Sequence, residues 1–329
     1  MAVSWSPQSI AFAAVLVGCA VVVVVCAGLA AGTAFTPNVF LKNNGDRAPK
    51  IQPELGGFAT ANEAAHVASP KAAIPATLFM TGPFARHALP PGFRANIAAW
   101  KRHGPPDLQV HWFDDAEAEA WVANHTPQYL PEYQVLIPGA YKADLWRLLV
   151  LFQYGGVYAD AGTSLLAPLW QLAGSANLVF CHDRKRAKGQ GDIWQGVLGA
   201  TAGHYVIGAM IDKVVSNIRA RYLGSTCLSV TGPKAVSEPT KLALGPQRLA
   251  QLTTPRGKWI AGHYGDILIL EHRGNELITA AQAKIVRTKN PGYNRIMYSR
   301  RKVPRYGDLW GKQKVYIPRI QPELAGIKP

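Results

Sequence analysis

The segment from residue 141 to residue 166 places the tightest constraint on how this chain can fold. Apolar residues recur at helical spacing through its first half, and Gly155-Gly156 then ends that periodicity. A short apolar run over residues 157–159 follows at once and leads to Asp160. A helix that turns directly into a buried strand is typical of layered α/β folds, whose ligands bind at the carboxyl ends of strands. The segment therefore predicts an α/β fold with a polar site at Asp160.

The neighbouring segments alternate in the same way. Helices are predicted over residues 91–103, 139–154 and 205–222, and strands over 76–80, 157–160 and 178–181. Asp114 or Asp115 is placed to cap the helix rich in Ala and Glu that follows. Strands interleaved with helices in this manner predict a single domain built on an open, mostly parallel sheet.

Residues 10–31 form a run of 22 residues without a charge. As a helix the run would span about 33 Å, enough for a hydrocarbon core of about 30 Å. A cleaved signal peptide is the alternative, but the run is longer than the usual apolar region and no Lys or Arg precedes it. We therefore expect a single transmembrane signal-anchor at 10–31 after a tail at 1–9. A stem at 32–72, a domain at 73–318 and a tail at 319–329 follow.

The charge balance favours anionic ligands. The chain has 35 Lys and Arg against 20 Asp and Glu, a net charge of +15. Residues 284–328 hold 12 of the basic residues and only two acidic ones. Phosphates, nucleic acid and acidic lipid headgroups all suit such a surface, but no nucleic-acid-binding module is recognisable, so nucleic acid is not expected as a partner.

The four cysteines are too few for a disulfide framework, and their spacing matches no zinc site. Cys181 and Cys227 are predicted to be either two thiols or one disulfide. Trp146, Trp170 and Trp194 are expected in the core.

A longer pattern surrounds the predicted site. Asp144 and Arg147 lie three residues apart on one helix, a spacing that by itself usually means a surface ion pair. The whole segment, however, resembles the glycosyltransferases with a DXD-containing sugar-binding region, which include initiating mannosyltransferases, inositolphosphoceramide mannosyltransferases and glucosylating bacterial toxins. Their pattern is K-A-D-x-x-R, an apolar run, then Y-G-G-x-Y-x-D-x-D-T. The matching residues here are Lys142, Ala143, Asp144, Arg147, Tyr154, Gly155, Gly156, Tyr158, Asp160 and Thr163. Weaker likenesses are Ala202-Gly203-His204 and Thr231-Gly232-Pro233.

The resemblance implies a GT-A-like nucleotide-sugar transferase domain. It implies a retaining enzyme that moves a hexose from a nucleotide-sugar donor to a glycan or glycolipid acceptor, anchored in the Golgi or ER membrane with a lumenal domain. The positive-inside rule, read literally, would instead put the body in the cytosol, because Lys42, Arg47 and Lys50 follow the anchor. By the same resemblance the donor-binding residues are Asp144, Arg147, Gly156, Tyr158 and Asp160, with Asp160 also catalytic and a ligand of Mn or Mg.

The chain departs from this pattern at Gly162, where the family has its second aspartate. Glycine offers no ligand atom, so three alternatives are open. Asp308 or Asp192 supplies the missing metal bond, basic side chains replace the metal, or catalysis is lost and the protein is a transferase-like binding or accessory protein.

Overall fold

The computed structural model describes residues 12–17, 20–25, 73–183, 192–299 and 304–318. The chain divides into two compact units, residues 1–58 and 59–329. The predicted stem and both predicted tails lie outside the described residues, so the domain boundaries stay predictions.

The first unit contains two antiparallel strands, β1 (Phe12–Val17) and β2 (Ala20–Val25), with Phe12 opposite Val25. The helix predicted over 10–31 was therefore wrong for these residues. Five consecutive valines fill residues 21–25, and β-branched side chains favour extended backbone over helix. In the described residues we find no helix that is both apolar enough and long enough to cross a bilayer. Membrane anchoring stays a prediction.

The second unit alternates strands and helices. Its strands are β3 (Thr77–Thr81), β4 (Gln109–Phe113), β5 (Gly156–Ala159), β6 (Ser164–Leu165), β7 (Leu178–His182), β8 (Ile193–Ala200), β9 (Gly262–Tyr264), β10 (Ile267–Arg273), β11 (Glu276–Ile278) and β12 (Lys284–Arg287). Its helices are α1 (Pro91–His103), α2 (Asp115–His125), α3 (Leu130–Val135), α4 (Gly139–Tyr154), α5 (Leu169–Ala173), α6 (Tyr205–Arg219), α7 (Pro233–Leu252, kinked at Gly245) and α8 (Tyr306–Gly311). The predicted bounds of α1 and α4 are confirmed. Of the two predicted caps of α2, Asp114 is the residue that accepts from the first turn.

Ten described strands of this unit form one mixed sheet in the order β4-β3-β5-β8-β7-β10-β11-β12-β6, with β9 beside β10. Strands β4, β3 and β5 are parallel, as are β7 and β10. Strand β8 is antiparallel to both of its neighbours, and the pairs from β10 to β6 are antiparallel. The prediction of a mostly parallel sheet was wrong, since six of its nine described strand pairs are antiparallel. For β7 and β8 the reason is the connection, because residues 183–192 are fewer than the dozen or so that a parallel crossover needs. The α/β class is confirmed.

Both faces of the sheet are covered by apolar cores. Helices α4, α6 and α7 pack on one face through buried residues such as Leu145, Ile211 and Val236. Helix α1 packs on the other through Phe93 and Trp100. Helix α4 is thus fixed against the sheet beside the end of β5.

Candidate functional site

A tight Gly-Gly turn sets the relation between α4 and β5. Gly155 and Gly156 have φ angles of +68° and +96°, and a Cβ on either would lie 2.7 Å from backbone of a neighbouring segment. Only glycine fits both requirements, and β5 therefore returns directly beneath α4. Gly156 itself is at the start of β5, four residues and about 13 Å of strand from Asp160. Backbone packing accounts for this glycine, and its donor contact stays a prediction.

Arg147 is the centre of the predicted site. Its Nη2 lies 2.9 Å from Asp144 Oδ1, and its Nη1 lies 3.5 Å from Asp160 Oδ1. Nη1 also donates to the carbonyl of Gln195 at 2.7 Å, and the guanidinium lies over the Tyr158 ring, 4.3 Å from its centroid. The side chain is only 7% exposed, so these contacts hold it in one orientation. The structure thus brings together four of the five predicted donor residues.

The two carboxylates of this cluster have different surroundings. Asp144 is 14% exposed, and its Oδ2 accepts a hydrogen bond from the Thr231 hydroxyl at 2.7 Å. Asp160 is 35% exposed, and its Oδ1 accepts from the Tyr158 hydroxyl at 2.9 Å. Asp144 is therefore held within the protein, whereas Asp160 can still reach a ligand.

Burial and charge set the protonation of the cluster. Burial raises the pKa of Asp144, while Arg147 and the Thr231 hydroxyl oppose that rise. Burial lowers the pKa of Arg147, but Tyr158, Asp144 and Asp160 outweigh burial and raise it overall, so the guanidinium stays charged. Burial raises the pKa of Tyr158 well above its usual range, so its phenol remains a hydrogen-bond donor to Asp160. The cluster therefore combines one guanidinium with two acidic side chains and a phenol, a set of donors and acceptors that suits sugar hydroxyls.

The backbone around Asp160 is also fixed. The Asp160 N–H donates to the carbonyl of Gly196 at 2.8 Å, and the Thr163 hydroxyl donates to the Asp160 carbonyl at 2.7 Å. A Cβ on Gly196 would lie 2.7 Å from Asp160 Oδ2 and 2.2 Å from the Trp194 ring. Trp194, predicted in the core, packs at the edge of the core and also borders Asp160.

The space at Gly162 is filled by another residue. A Cβ on Gly162 would lie 2.7 and 2.8 Å from two ring carbons of Tyr293, and Gly162 has no positive φ. Tyr293 packs on Phe93, with ring centroids 6.0 Å apart, and the Asn290 N–H donates to the Gly162 carbonyl at 3.0 Å. An aromatic ring therefore lies where the side chain of a second aspartate would begin.

This arrangement bears on the expected metal. Asp192 directly precedes β8, and Asp308 is exposed in the first turn of α8. Across the parts of the chain that the structure describes, no group of three or more His, Cys, Asp or Glu is arranged to hold a metal ion. No such group of three forms around Asp160, the Tyr293 ring fills the space at position 162, and the metal roles of Asp160, Asp192 and Asp308 stay predictions. The residues present do not fit a resident cation of the two-aspartate type.

Three residues of the site were not predicted from the sequence as site residues. Thr231 lies in the Thr-Gly-Pro loop, which the sequence had marked only as a family likeness. Tyr293 and Gln195 carried no signal. Gln195 is 2% exposed, and both atoms of its side-chain amide lack a hydrogen-bond partner among the described residues. A buried unpaired amide commonly marks a place where water or ligand binds.

Of the residues that the structure describes, two are cysteines, and they are not paired with each other. Cys181 is buried and Cys227 is half-buried, and both are free thiols. Of the two predicted alternatives, two thiols is confirmed. Burial raises the pKa of the Cys181 thiol, so it remains protonated.

Comparison with known proteins points to the same residues. Residues 90–179 match the model of a family described as the glycosyltransferase sugar-binding region containing the DXD motif. That stretch contains Asp144, Arg147, Tyr158, Asp160 and Gly162. Residues 90–179 are therefore similar in sequence to glycosyltransferases.

A curated relative is O-glycosyltransferase braB of Annulohypoxylon truncatum, 33% identical over 85 residues. The match covers 23% of this chain and spans only 20% of that relative. Among solved structures, PaToxG Glycosyltransferase aligns with a TM-score of 0.35 and 16% identity, over 50% of this chain and 68% of that one. The sequence matches support the general family, and no mannosyltransferase subgroup is distinguished.

Proposed function

We propose that this protein is a retaining glycosyltransferase that moves a hexose from a nucleotide-sugar to a glycan or glycolipid acceptor, on a GT-A-like fold. The observation that carries the proposal is the cluster around Arg147. It combines a buried cation, a fixed carboxylate at Asp144 and a partly open carboxylate at Asp160. Together with the family match over the same residues, this cluster supports binding of the hydroxyl-rich part of a sugar nucleotide.

Each residue has a distinct role in this proposal. Asp144 and Arg147 hold the ribose and the adjoining sugar. Tyr158 orients Asp160, whose free oxygen accepts a hydrogen bond from a sugar or ribose hydroxyl. The proposal assigns no nucleophile or general base. Breaking of the glycosidic bond therefore depends on two contributions, which are stabilisation of the leaving diphosphate and positioning of the acceptor. Transferases of the DXD type typically use a divalent cation to stabilise the leaving diphosphate. In this proposal no step is assigned to a divalent cation.

Anchoring by residues 10–31 in a Golgi or ER membrane, with the second unit in the lumen, is part of the proposal. Its support is the uncharged apolar run and the resemblance to membrane-anchored transferases. Protease treatment of sealed vesicles tests it. Protection of the second unit is the expected result, and complete digestion without detergent would contradict a lumenal location.

The activity is tested with the purified full chain and a panel of UDP- and GDP-hexoses. Release of nucleoside diphosphate is expected with one donor, and Asp160→Asn should abolish it while leaving the thermal unfolding midpoint nearly unchanged. Asp212→Asn, which removes an exposed carboxylate from α6, is the matched control. Turnover by Asp160→Asn at the wild-type rate would contradict the assignment of the site.

A catalytically impaired binding or accessory protein is the second candidate. The Tyr293 ring against Gly162 favours it, because one of the two acidic side chains of the DXD pattern is replaced by an aromatic ring. Under this alternative the full chain binds one sugar nucleotide and shows a thermal shift, but releases no nucleoside diphosphate with any acceptor.

A further inference from the structure

A polar cavity adjoins the loop that contains Gly162. Its volume is about 580 Å³, and it is lined by Asn275, Glu276, Arg287, Lys289, Asn290, Pro291 and Asn294. Asn290 connects the two features, because it lines the cavity while its N–H donates to the Gly162 carbonyl. The cavity is therefore joined to the loop two residues after Asp160.

The cavity has an excess of positive charge. Arg287 and Lys289 are two residues apart at the end of β12, both exposed. The carboxylate of Glu276, which also lines the cavity, already pairs with Lys284 Nζ at 3.0 Å. Within the described residues neither Arg287 nor Lys289 forms an ion pair, so two cationic groups remain available to an anion.

Lys289 is joined to the altered position of the motif through the Tyr293 ring. Its Nζ lies over the Tyr293 ring, 5.9 Å from the centroid, and the same ring fills the space at Gly162. A cation over an aromatic face is held in place by the ring electrons without losing its charge. The residue that excludes an aspartate side chain at 162 thus also holds a positive charge beside the site.

We propose that Lys289, assisted by Arg287, binds the donor's diphosphate in place of a divalent cation. This inference rests on the proposed function. As the bond between the anomeric carbon and the phosphate oxygen breaks, its electron pair passes to that oxygen. The Lys289 ammonium stabilises the added negative charge. The acceptor oxygen bonds to the anomeric carbon and its proton passes to the leaving diphosphate, so atoms and charge balance. The guanidinium of Arg147 already contacts Asp144 and Asp160, so Lys289 and Arg287 supply the positive charge that the diphosphate needs.

Calorimetry on the full chain with UDP and GDP tests this proposal, with UMP and GMP as probes that lack the second phosphate. The expected result is that one diphosphate binds equally well, within twofold, in EDTA and in Mn²⁺. Lys289→Ala should weaken diphosphate binding at least tenfold and change monophosphate binding less than twofold. Lys289→Arg should restore most of the loss. Lys101→Ala, which removes an exposed lysine from the last turn of α1, should have no effect.

Two results would overturn the proposal while leaving the proposed function intact. One is diphosphate binding that disappears in EDTA and returns with Mn²⁺. The other is Lys289→Ala binding diphosphate as tightly as wild type. If wild type binds no nucleotide with or without Mn²⁺, the proposed function and this inference both fail.

Discussion

At position 162 the Tyr293 ring takes the space into which an aspartate side chain would extend. We predict that Gly162→Asp will not create a metal site. The new side chain must displace a ring packed on Phe93, and overpacking of this kind costs about 1–3 kcal/mol of unfolding free energy. Chemical denaturation measures the cost. Gly139→Asp is the control, because a Cβ there meets nothing within 4 Å and an acidic residue suits the start of α4.

If the Tyr293 ring causes the loss of stability in Gly162→Asp, removal of the ring should restore part of that loss. Tyr293→Ala should relieve the Gly162→Asp variant, so that the double variant is more stable than the sum of the two single losses. Additive losses would show that the ring and the new carboxylate do not compete for space.

Substitutions of Arg147 and Asp160 should differ in their effect on stability although both abolish activity. Arg147→Ala removes the partner of a buried carboxylate, so it should cost about 3–5 kcal/mol of unfolding free energy. Asp160→Asn keeps the shape of a partly exposed side chain and should cost about 1 kcal/mol or less. Donor turnover should be lost in both. Equal destabilisation by the two substitutions would contradict the different burial of their surroundings.

The residues that the sequence identified are those joined by local geometry. Asp144, Arg147, Tyr158 and Asp160 lie within one helix, one turn and one strand, so their proximity followed from helical spacing and the Gly-Gly turn. Tyr293 reaches Gly162 from a short helical segment more than a hundred residues further along the chain. No periodicity encodes such a contact, and the reason for the glycine therefore became visible only in the fold.

Among the secondary-structure elements, α6 has an N-cap that depends on pH. His204 Nδ1 accepts from the Val206 N–H, and Nε2 donates to Asn177 Oδ1 at 3.2 Å. The Nδ1 contact needs the neutral ring, because a protonated Nδ1 cannot accept, whereas Nε2 can donate in either state. Burial lowers the pKa of His204 to about 4, whereas in the unfolded chain histidine has its ordinary pKa of about 6.5.

The unfolded state therefore binds a proton first as the pH falls. Stability from His204 is fully present above pH 6.5 and declines between 6.5 and about 4, by roughly 1.4 kcal/mol per pH unit at most. His204→Asn keeps a capping side chain without titrating, so its unfolding free energy should change less over this range. His87→Asn, at an exposed position, is the control. An unchanged slope in His204→Asn would contradict the assignment.

The bounds of α1 and α4 were predictable because proline, glycine and apolar spacing mark them directly. The direction of the strands could not be predicted from the sequence, since it depends on the connections between them. Apolar runs in β8 and β10 look alike in sequence, yet β8 is antiparallel to β7 and β10 is parallel to it. The valine run at 21–25 shows the same ambiguity, because an uncharged apolar segment satisfies both a helix and a strand.

For the whole molecule, the second unit has its own apolar cores on both sheet faces. Such a unit is expected to fold alone. We predict that a chain beginning at residue 59 unfolds cooperatively within about 4 °C of the full chain and binds the same nucleotide. Circular dichroism during heating measures this. Loss of cooperative unfolding would show that residues 1–58 are needed for the fold.

Strand β8 pairs with β5 on one side and β7 on the other, and thereby joins the parallel strands to the rest of the sheet. The same strand supplies the carbonyls of Gln195 and Gly196 that hold Arg147 and Asp160. Its amide protons should consequently exchange with deuterated solvent only on global opening. An intermediate that has lost β8 would also lack the carbonyls that hold Arg147 and Asp160, so we expect this cluster to form only after β8 has paired on both sides.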